Sequence, residues 1–201
     1  MVLNFGDIVT KYCLDIKGII HVGGHFGQEA IVYKNYKIKK VIFFEPLLDN
    51  YKILIKNIFE YQAINCALGA DDQIIEMHVE NDNQSQSSSI LNPKKHIQFY
   101  PDIKFNKVEY VKLKTLDSFN LKNYNFLYMD VQGYELEVLK GGISTLDNID
   151  YIMCEVNIVE HYENSPLIED LDVFLKKYNF IRFDTFIFPQ MWGDAFYMKV
   201  K

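Results

Sequence analysis

The stretch 17–46, KGIIHVGGHFGQEAIVYKNYKIKKVIFFEP, most constrains what this chain can fold into. Its pattern predicts a strand, a glycine-rich turn, a helix, a second strand and a terminating acid, over 18–22, 23–27, 28–36, 40–44 and Glu45-Pro46. Two short apolar strands joined by a helix favour a parallel βαβ unit, because parallel neighbours need a crossover connection. The rest of the chain must extend that unit.

The turn brings together Gly23, Gly24 and Gly27, with His25 between them. Glycine lets the backbone bend sharply and approach a ligand closely, and the helix that follows offers unpaired N–H groups at its start. An acid at the tip of the second strand, here Glu45, can accept hydrogen bonds from ribose hydroxyls. The unit therefore predicts a nucleoside-containing ligand at the strand tips; a tight structural turn is the alternative.

Composition indicates one globular domain over 1–201, with 49% hydrophobic residues and a net charge of −6. The negative charge and the lack of a basic run argue against a nucleic-acid partner. Cys13, Cys66 and Cys154 are few, scattered and odd in number, as expected of reduced thiols. The N-terminus shows no signal-peptide pattern and no apolar stretch is long enough for a membrane span. We therefore expect a cytoplasmic protein.

Further along, helical and strand patterns alternate. Helices are predicted over 4–14, 47–59, 131–142 (ended by Gly141-Gly142) and 166–178, and strands over 62–68, 125–130, 150–156, 180–183 and 195–200. This order predicts an α/β fold with a mostly parallel, doubly wound sheet, here seven-stranded with an antiparallel last strand.

The segment 73–113 breaks that alternation, with strand patterns over 73–79 and 108–113 and no helix of its own to connect them. The polar run NDNQSQSSS lies between them. We interpret the segment as a small antiparallel insertion near the substrate side, whose loop carries substrate contacts. Flexible filler is the alternative for 84–89.

Acids lie at the carboxyl ends of three of the predicted strands: Glu45 directly after its strand, Asp130 as the last residue of its strand, and Glu155 near the tip of its strand. Since ligands sit outside the carboxyl ends of the strands in such sheets, these side chains should share one edge with the glycine turn. Buried acids are costly unless they are solvated, paired or used. Asp130 as a helix cap and Glu155 as a lysine partner are the structural alternatives.

Several segments, in order along the chain, resemble FkbM-type methyltransferases, a family of S-adenosylmethionine-dependent O-methyltransferases acting largely on sugars and related hydroxyl compounds. They are HVGGHFGQE at 21–29, FFEP at 43–46, SSSILNPKKHIQFYPD at 87–102, TLDSF at 115–119, MDVQGYELEVLKGG at 129–142, CEVN at 154–157 and WGDAFYM at 192–198. The resemblance implies a Rossmann-like class I methyltransferase fold.

The resemblance also implies roles for single residues. The glycine turn would wrap the methionine part of the cofactor, Glu45 would bind its ribose, and Asp130 and Gln132 would lie beside the sulfonium and the substrate. The expected cofactor-binding set is His21, Gly23, Gly24, His25, Gly27, Glu29, Glu45, Pro46, Cys66, Ala67, Asp130 and Gln132. His21 stands where the family usually has an acid, and a buried core histidine is its alternative reading.

Methylation of a hydroxyl requires a base or a metal to draw off the proton. Asp130, Glu155 and His161 are the candidate bases. A magnesium ion at Asp130, Glu155 and Asn157 is possible by analogy with catechol-type methyltransferases but is not favoured. The expected acceptor is a small molecule or glycan. Another nucleotide-dependent enzyme on this fold, such as an oxidoreductase, and a non-catalytic binding module remain the alternatives.

Overall fold

The computed structural model describes residues 3–200. Its helices are α1 Phe5–Tyr12, α2 Ala30–Asn35, α3 Leu48–Asn57, α4 His96–Phe99, α5 Glu135–Lys140, α6 Ile143–Leu146 and α7 Ile168–Lys176, with a 3-10 turn at Leu116–Phe119. Its strands are β1 Ile19–Val22, β2 Val41–Phe44, β3 Gln62–Ile64, β4 Ala67–Leu68, β5 Gln73–Val79, β6 Lys107–Lys114, β7 Phe126–Met129, β8 Tyr151–Asn157, β9 Phe180–Ile187 and β10 Trp192–Lys199.

Seven strands form the main sheet in the order β3-β2-β1-β7-β8-β10-β9. The pairs from β3 to β8 are parallel, whereas β10 is antiparallel to both of its neighbours. The predicted α/β fold, with its mostly parallel seven-stranded sheet and antiparallel last strand, is confirmed. The closing hairpin is longer than predicted, because both strands extend toward the turn between them.

Both faces of this sheet are buried, which explains why its central strands are apolar runs without alternation. Residues at alternate positions of β1 belong to different cores: Ile19 lies with the side chains of α1, α2 and α3, and Ile20 with those of α5, α6 and α7. Helices therefore cover both faces and leave the carboxyl ends of the strands as an open edge.

The prediction of one strand over 62–68 is wrong. Residues 62–64 pair with β2 in the main sheet, whereas Ala67 and Leu68 pair with β6 in a second sheet. The break falls at Asn65, whose Nδ2 donates hydrogen bonds to the carbonyl oxygens of Glu45 and Pro46 over 2.8 and 2.9 Å. The chain thus leaves the main sheet where that side chain ties it to the tip of β2.

The second sheet has the order β4-β6-β5. β5 and β6 are antiparallel, as predicted for the insertion, but β4 joins β6 in parallel. A small core of its own, including Leu47, Met77 and Val111, lies beneath it. Within residues 3–200, no helix is both long and apolar enough to cross a bilayer.

Candidate active site

A cavity of about 390 Å³ opens at the carboxyl edge of the main sheet, within the size range usual for small-molecule sites. Its walls come from the turns after β1 and β7, the tips of β2 and β8, strand β4, the insertion segment 83–103, and residues 161, 162 and 192. Most of the predicted site residues line it: His21, Gly23, His25, Glu29, Glu45, Pro46, Cys66, Ala67, Asp130, Gln132, Glu155 and His161.

Gly23 holds the turn after β1 against the turn after β7. Its φ is +86°, and a Cβ there would collide with the carbonyl oxygen of Asp130. Its N–H donates to the carbonyl oxygen of Phe44 over 3.0 Å. No side chain can be accommodated at this position, because backbone atoms of three strand ends meet there.

Gly24 and Gly27 are not among the cavity-lining residues. A Cβ on Gly24 would lie 3.0 Å from Leu54, and a Cβ on Gly27, whose φ is +79°, would lie 2.8 Å from Ile58. Both glycines therefore allow α3 to pack closely against the turn. Their role as cofactor contacts stays a prediction.

His21 lies at the floor of the cavity, where it is 1% exposed. Its Nδ1 is 2.9 Å from the Tyr33 hydroxyl, and its ring packs against those of Phe43 and Tyr128. Burial lowers the pKa of His21 to about 3, so the imidazole is neutral at physiological pH. A neutral, partnered histidine replaces the acid that the family resemblance leads one to expect.

Glu45 is buried at the tip of β2 and its two carboxyl oxygens are held separately. Oε2 accepts a hydrogen bond from the backbone N–H of His25 over 2.8 Å, and Oε1 accepts one from Leu47 over 2.9 Å. Burial raises the pKa of Glu45 to about 7, and these hydrogen bonds oppose the rise. The carboxyl group is thereby fixed in orientation and lines the cavity with its remaining acceptor capacity.

Beside Glu45 the wall becomes apolar. Cys66, Ala67 and Leu68 all line the cavity and are nearly inaccessible to solvent. Burial raises the pKa of the Cys66 thiol to about 12, so it is present as a small apolar group rather than as a thiolate. An acceptor of hydrogen bonds next to an apolar wall suits a ribose followed by a flat base.

The insertion loop is tied to the glycine turn through His25. Its Nε2 lies 2.7 Å from the carbonyl oxygen of Gln84, and its Nδ1 accepts from Gln28 Nε2 over 2.8 Å. Since a carbonyl only accepts, Nε2 carries the proton. Gln84 and Ser85 both have left-handed φ values, 58° and 66°. The loop 83–88 is therefore an ordered wall of the cavity at this point.

Asp130, Gln132 and Glu155 form one network. Gln132 Nε2 donates to Asp130 Oδ1 over 2.8 Å and to Glu155 Oε2 over 2.7 Å. Gln132 has a φ of 55°, a conformation that costs energy for a residue with a Cβ. Its Oε1 lies 2.9 Å from the Tyr162 hydroxyl, which donates also toward the carbonyl oxygen of Ser87.

The Glu155 carboxyl group of this network is strongly affected by its surroundings. Burial, and after it the nearby charges of Asp130 and Glu135, raise the pKa of Glu155 well above its usual range. Burial therefore favours the protonated, neutral form of the Glu155 carboxyl group. Glu29, at the entrance to α2, also has a raised pKa, chiefly because it is buried and then because Asp130 is near.

The sequence patterns did not single out Glu135, whose carboxyl group holds the backbone on both sides of Gln132. Its Oε1 accepts hydrogen bonds from the N–H groups of Val131 and Gly133, over 3.0 and 3.4 Å. It is 1% exposed, and burial raises its pKa to about 7. An acid at the first residue of a helix normally indicates a surface position, so no pattern in the sequence distinguished it.

The far end of the cavity is aromatic and holds two histidines. His161 Nε2 is 2.8 Å from the carbonyl oxygen of Gln190, and the backbone of His161 bonds to that of His96. Trp192 Nε1 donates to the Tyr100 hydroxyl over 2.8 Å. Through these contacts the insertion packs against residues that follow β8 in the sequence.

No group of three or more His, Cys, Asp or Glu side chains suited to a metal ion occurs among residues 3–200. Asp130 and Glu155 are engaged with Gln132 instead.

Solved structures share this fold. Methyltransferase FkbM from Methylobacillus flagellatus superposes with a TM-score of 0.61 at 14% identity, over 90% of this chain and 43% of that one. Sp1610 of Streptococcus pneumoniae, in complex with S-adenosyl-L-methionine, gives 0.53 at 12% identity, over 97% and 72%. TrmK of M. capricolum, in complex with S-adenosyl-homocysteine, gives 0.52 at 11% identity, over 99% and 69%. The fold is that of a Rossmann-like methyltransferase domain.

The sequence identifies the family. The methyltransferase FkbM domain model matches residues 21–182, so the chain belongs to the FkbM methyltransferase domain family. A curated relative, the 2-O-methyltransferase NoeI of Sinorhizobium fredii, is 35% identical over 92 residues, which cover 43% of this chain and 38% of NoeI. The chain thus spans less than half the length of NoeI and of the FkbM structure.

Proposed function

We propose that the protein transfers a methyl group from S-adenosylmethionine to a hydroxyl group of a sugar, a glycan or a related small molecule. The observation that carries this is the presence, in one cavity, of the buried acceptor Glu45 and of the Asp130–Gln132–Glu155 network. Family membership and the 2-O-methyltransferase activity in the name of NoeI support the reaction class.

The residues at one end of the cavity fit the cofactor. Glu45 offers acceptor capacity for ribose hydroxyls, and the wall beside it, formed by Cys66, Ala67 and Leu68, is apolar as a base requires. When bound, S-adenosylmethionine supplies a methyl group already activated by the positive sulfonium. The protein's task is then to orient the acceptor, exclude water and remove a proton.

The other end of the cavity, lined by Asp130, Gln132 and His161, fits the acceptor, and we call it the acceptor end. Asp130 is the group that we assign to receive the hydroxyl proton, because burial favours the protonated form of Glu155. Gln132 fixes the direction of the Asp130 carboxyl through Nε2, and Tyr162 in turn lies against Gln132 Oε1. His161 remains an alternative base, with its Nε2 directed to Gln190.

Calorimetric titration with S-adenosylmethionine, S-adenosylhomocysteine and NAD tests the cofactor. We expect saturable binding of the first two, with an affinity at least about tenfold lower in Glu45→Ala. Glu60→Ala, which removes an exposed glutamate outside the cavity, serves as the matched control and should bind as the wild type does.

Transfer of a labelled methyl group to a panel of monosaccharides and glycans then tests the reaction. Binding of NAD alone would contradict the proposal and favour an oxidoreductase. Binding of S-adenosylmethionine without transfer to any hydroxyl acceptor would favour a non-catalytic binding module.

A further inference from the structure

Carboxyl groups outnumber lysines and arginines on the walls of the cavity. Four carboxyl groups line it, those of Glu29, Glu45, Asp130 and Glu155, and none of its lining residues within 3–200 is a lysine or an arginine. An enzyme that binds phosphate or carboxylate groups usually supplies arginine or lysine to pair with them. Among residues 3–200, no such partner lines the part of the cavity around Asp130 and Glu155, where we place the acceptor.

Lysines near the acceptor end do not alter this. Lys94 forms an ion pair with Glu160 at the surface. Lys95 is near enough to His161 to help lower its pKa, after the larger effect of burial, but Lys95 does not line the cavity.

The two histidines of the acceptor end do not supply a cation either. Burial lowers the pKa of His96 to about 4 and lowers that of His161 as well. Both imidazoles are therefore uncharged at neutral pH. They can exchange hydrogen bonds with hydroxyl groups but cannot neutralise an anion.

Two buried polar atoms on lining residues indicate what this end binds. Asn157 Oδ1 and His96 Nδ1 are both inaccessible and have no hydrogen-bond partner among the described residues. Buried polar atoms are almost always satisfied, so an unpaired one on the wall of a cavity marks a position for a ligand group. Neutral hydroxyl groups, which donate as well as accept, suit both atoms.

An aromatic pair completes the wall. Trp192 is hydrogen-bonded to Tyr100, and both side chains line the cavity and are partly exposed. Aromatic surfaces next to hydrogen-bonding groups present an apolar face and a polar edge, which is also the character of a pyranose ring.

We infer that the part of the acceptor entering the cavity is an uncharged or amino sugar that hydrogen-bonds Asn157 and His96, and that sugars bearing phosphate or carboxylate groups there are excluded. This inference rests on the proposed function and narrows its substrate class. An anionic group would lose its hydration in the cavity and meet carboxyl groups rather than a counter-charge. An ammonium group would meet the carboxyl groups favourably.

The inference can be tested by sugar binding without turnover. Trp192 is the only tryptophan of the chain, so its fluorescence reports on the acceptor end. We would titrate the protein, with and without S-adenosylhomocysteine, with matched series of monosaccharides: glucose, glucosamine and glucuronate, and galactose, galactosamine and galacturonate. We expect neutral or amino members of a series to bind at least about tenfold more tightly than its uronate.

Two variants localise the effect. Asn157→Leu removes the unpaired oxygen at similar size and should weaken binding of the preferred sugar about tenfold, with the affinity for S-adenosylhomocysteine retained. Gln86→Lys places a cation on an exposed residue of the cavity wall and should improve uronate binding at low salt. Asn81→Lys adds the same charge outside the cavity and should not.

A uronate that binds as tightly as its neutral and amino partners would overturn the inference. So would a wild-type protein that binds no neutral or amino member of either series. If neutral sugars bind selectively while S-adenosylmethionine and S-adenosylhomocysteine do not bind, the methyltransferase proposal fails and the charge selectivity stands. If S-adenosylmethionine and S-adenosylhomocysteine bind while a uronate binds as tightly as its neutral partner, the charge selectivity fails and the methyltransferase proposal stands.

Discussion

Gln132 Nε2 lies 2.7 Å from Glu155 Oε2, so the residue three positions after β7 is joined directly to the carboxyl end of β8. Its left-handed backbone, with φ at 55°, is what turns the side chain toward both carboxyl groups. The same amide group donates to Asp130 over 2.8 Å. The orientation of the proposed base therefore depends on one side chain.

Gln132→Gly should separate that orientation from backbone geometry, since glycine adopts a positive φ readily. We expect kcat for methyl transfer to fall about a hundredfold, because small misplacements of reacting groups have effects of that size. The affinity for S-adenosylhomocysteine, measured by calorimetry, should change little because Glu45 is untouched. Gln84→Gly makes the same change at another left-handed residue outside the network and is the control. Equal losses in both variants would contradict the role of Gln132.

Cofactor affinity should depend on pH through Glu45, whose pKa burial raises to about 7. Below that pH the carboxyl is protonated and one of its oxygens becomes a donor, which weakens its ability to accept from ribose hydroxyls. The dissociation constant for S-adenosylhomocysteine should therefore rise about tenfold between pH 8 and pH 6. Calorimetry on Glu45→Gln should give weaker binding with a flatter pH profile. An unchanged slope in that variant would assign the dependence to another group.

Gly27→Ala should reduce stability without removing the site. The added Cβ would lie 2.8 Å from Ile58 and 2.9 Å from Leu54, at a φ of +79°. Strain and overpacking of this kind cost about 1–3 kcal/mol, which urea unfolding measures. The folded variant should still bind S-adenosylhomocysteine, in contrast to Gly23→Ala, whose Cβ would collide with backbone. Loss of binding by Gly27→Ala at full stability would instead show a contact with the cofactor.

These glycines mark the limit of what the sequence could predict. The pattern located the turn correctly, because three glycines between two buried strands demand one. It could not show whether the missing Cβ faces a ligand or a helix: Gly24 and Gly27 pack against α3. That distinction depends on the path of a segment that lies about thirty residues away in the sequence.

Strand periodicity had a similar limit. The apolar run 62–68 has the composition of one strand, and nothing local shows that its two halves belong to different sheets. The separation is set by the bonds from Asn65 to the tip of β2. The main sheet was predictable because its central strands are continuous apolar runs buried on both faces.

Glu135 should make stability depend on pH. Its pKa in the folded protein is raised to about 7, from 4.5, mainly by burial, so the folded state holds the proton more tightly. The associated stabilisation is complete below pH 4.5 and is lost as the pH rises to 7, on the order of 3 kcal/mol for one group. Glu135→Gln keeps an acceptor for Val131 and should flatten this fall in the free energy of unfolding.

Urea unfolding from pH 5 to pH 8 measures that difference. Glu137→Gln, on the same helix, is the matched control, because Glu137 pairs with Lys140 near the surface and such pairs contribute little. A wild-type curve parallel to that of Glu135→Gln would mean that Glu135 titrates alike in the folded and unfolded states.

Asp130 and Glu155 should respond differently to isosteric substitution if Asp130 is the base. Burial raises the pKa of Glu155 well above its usual range and so favours its neutral form. Glutamine imitates that neutral group, because its amide can still accept from Gln132 and donate to Asp130. Glu155→Gln should therefore keep kcat within about tenfold, whereas Asp130→Asn removes the proton acceptor and should lower kcat at least about a hundredfold. Steady-state kinetics with a sugar acceptor that the wild-type protein methylates decides between them. If Asp130→Asn stays active and His161→Asn does not, the base is His161, and the proton leaves the acceptor toward the aromatic end of the cavity instead.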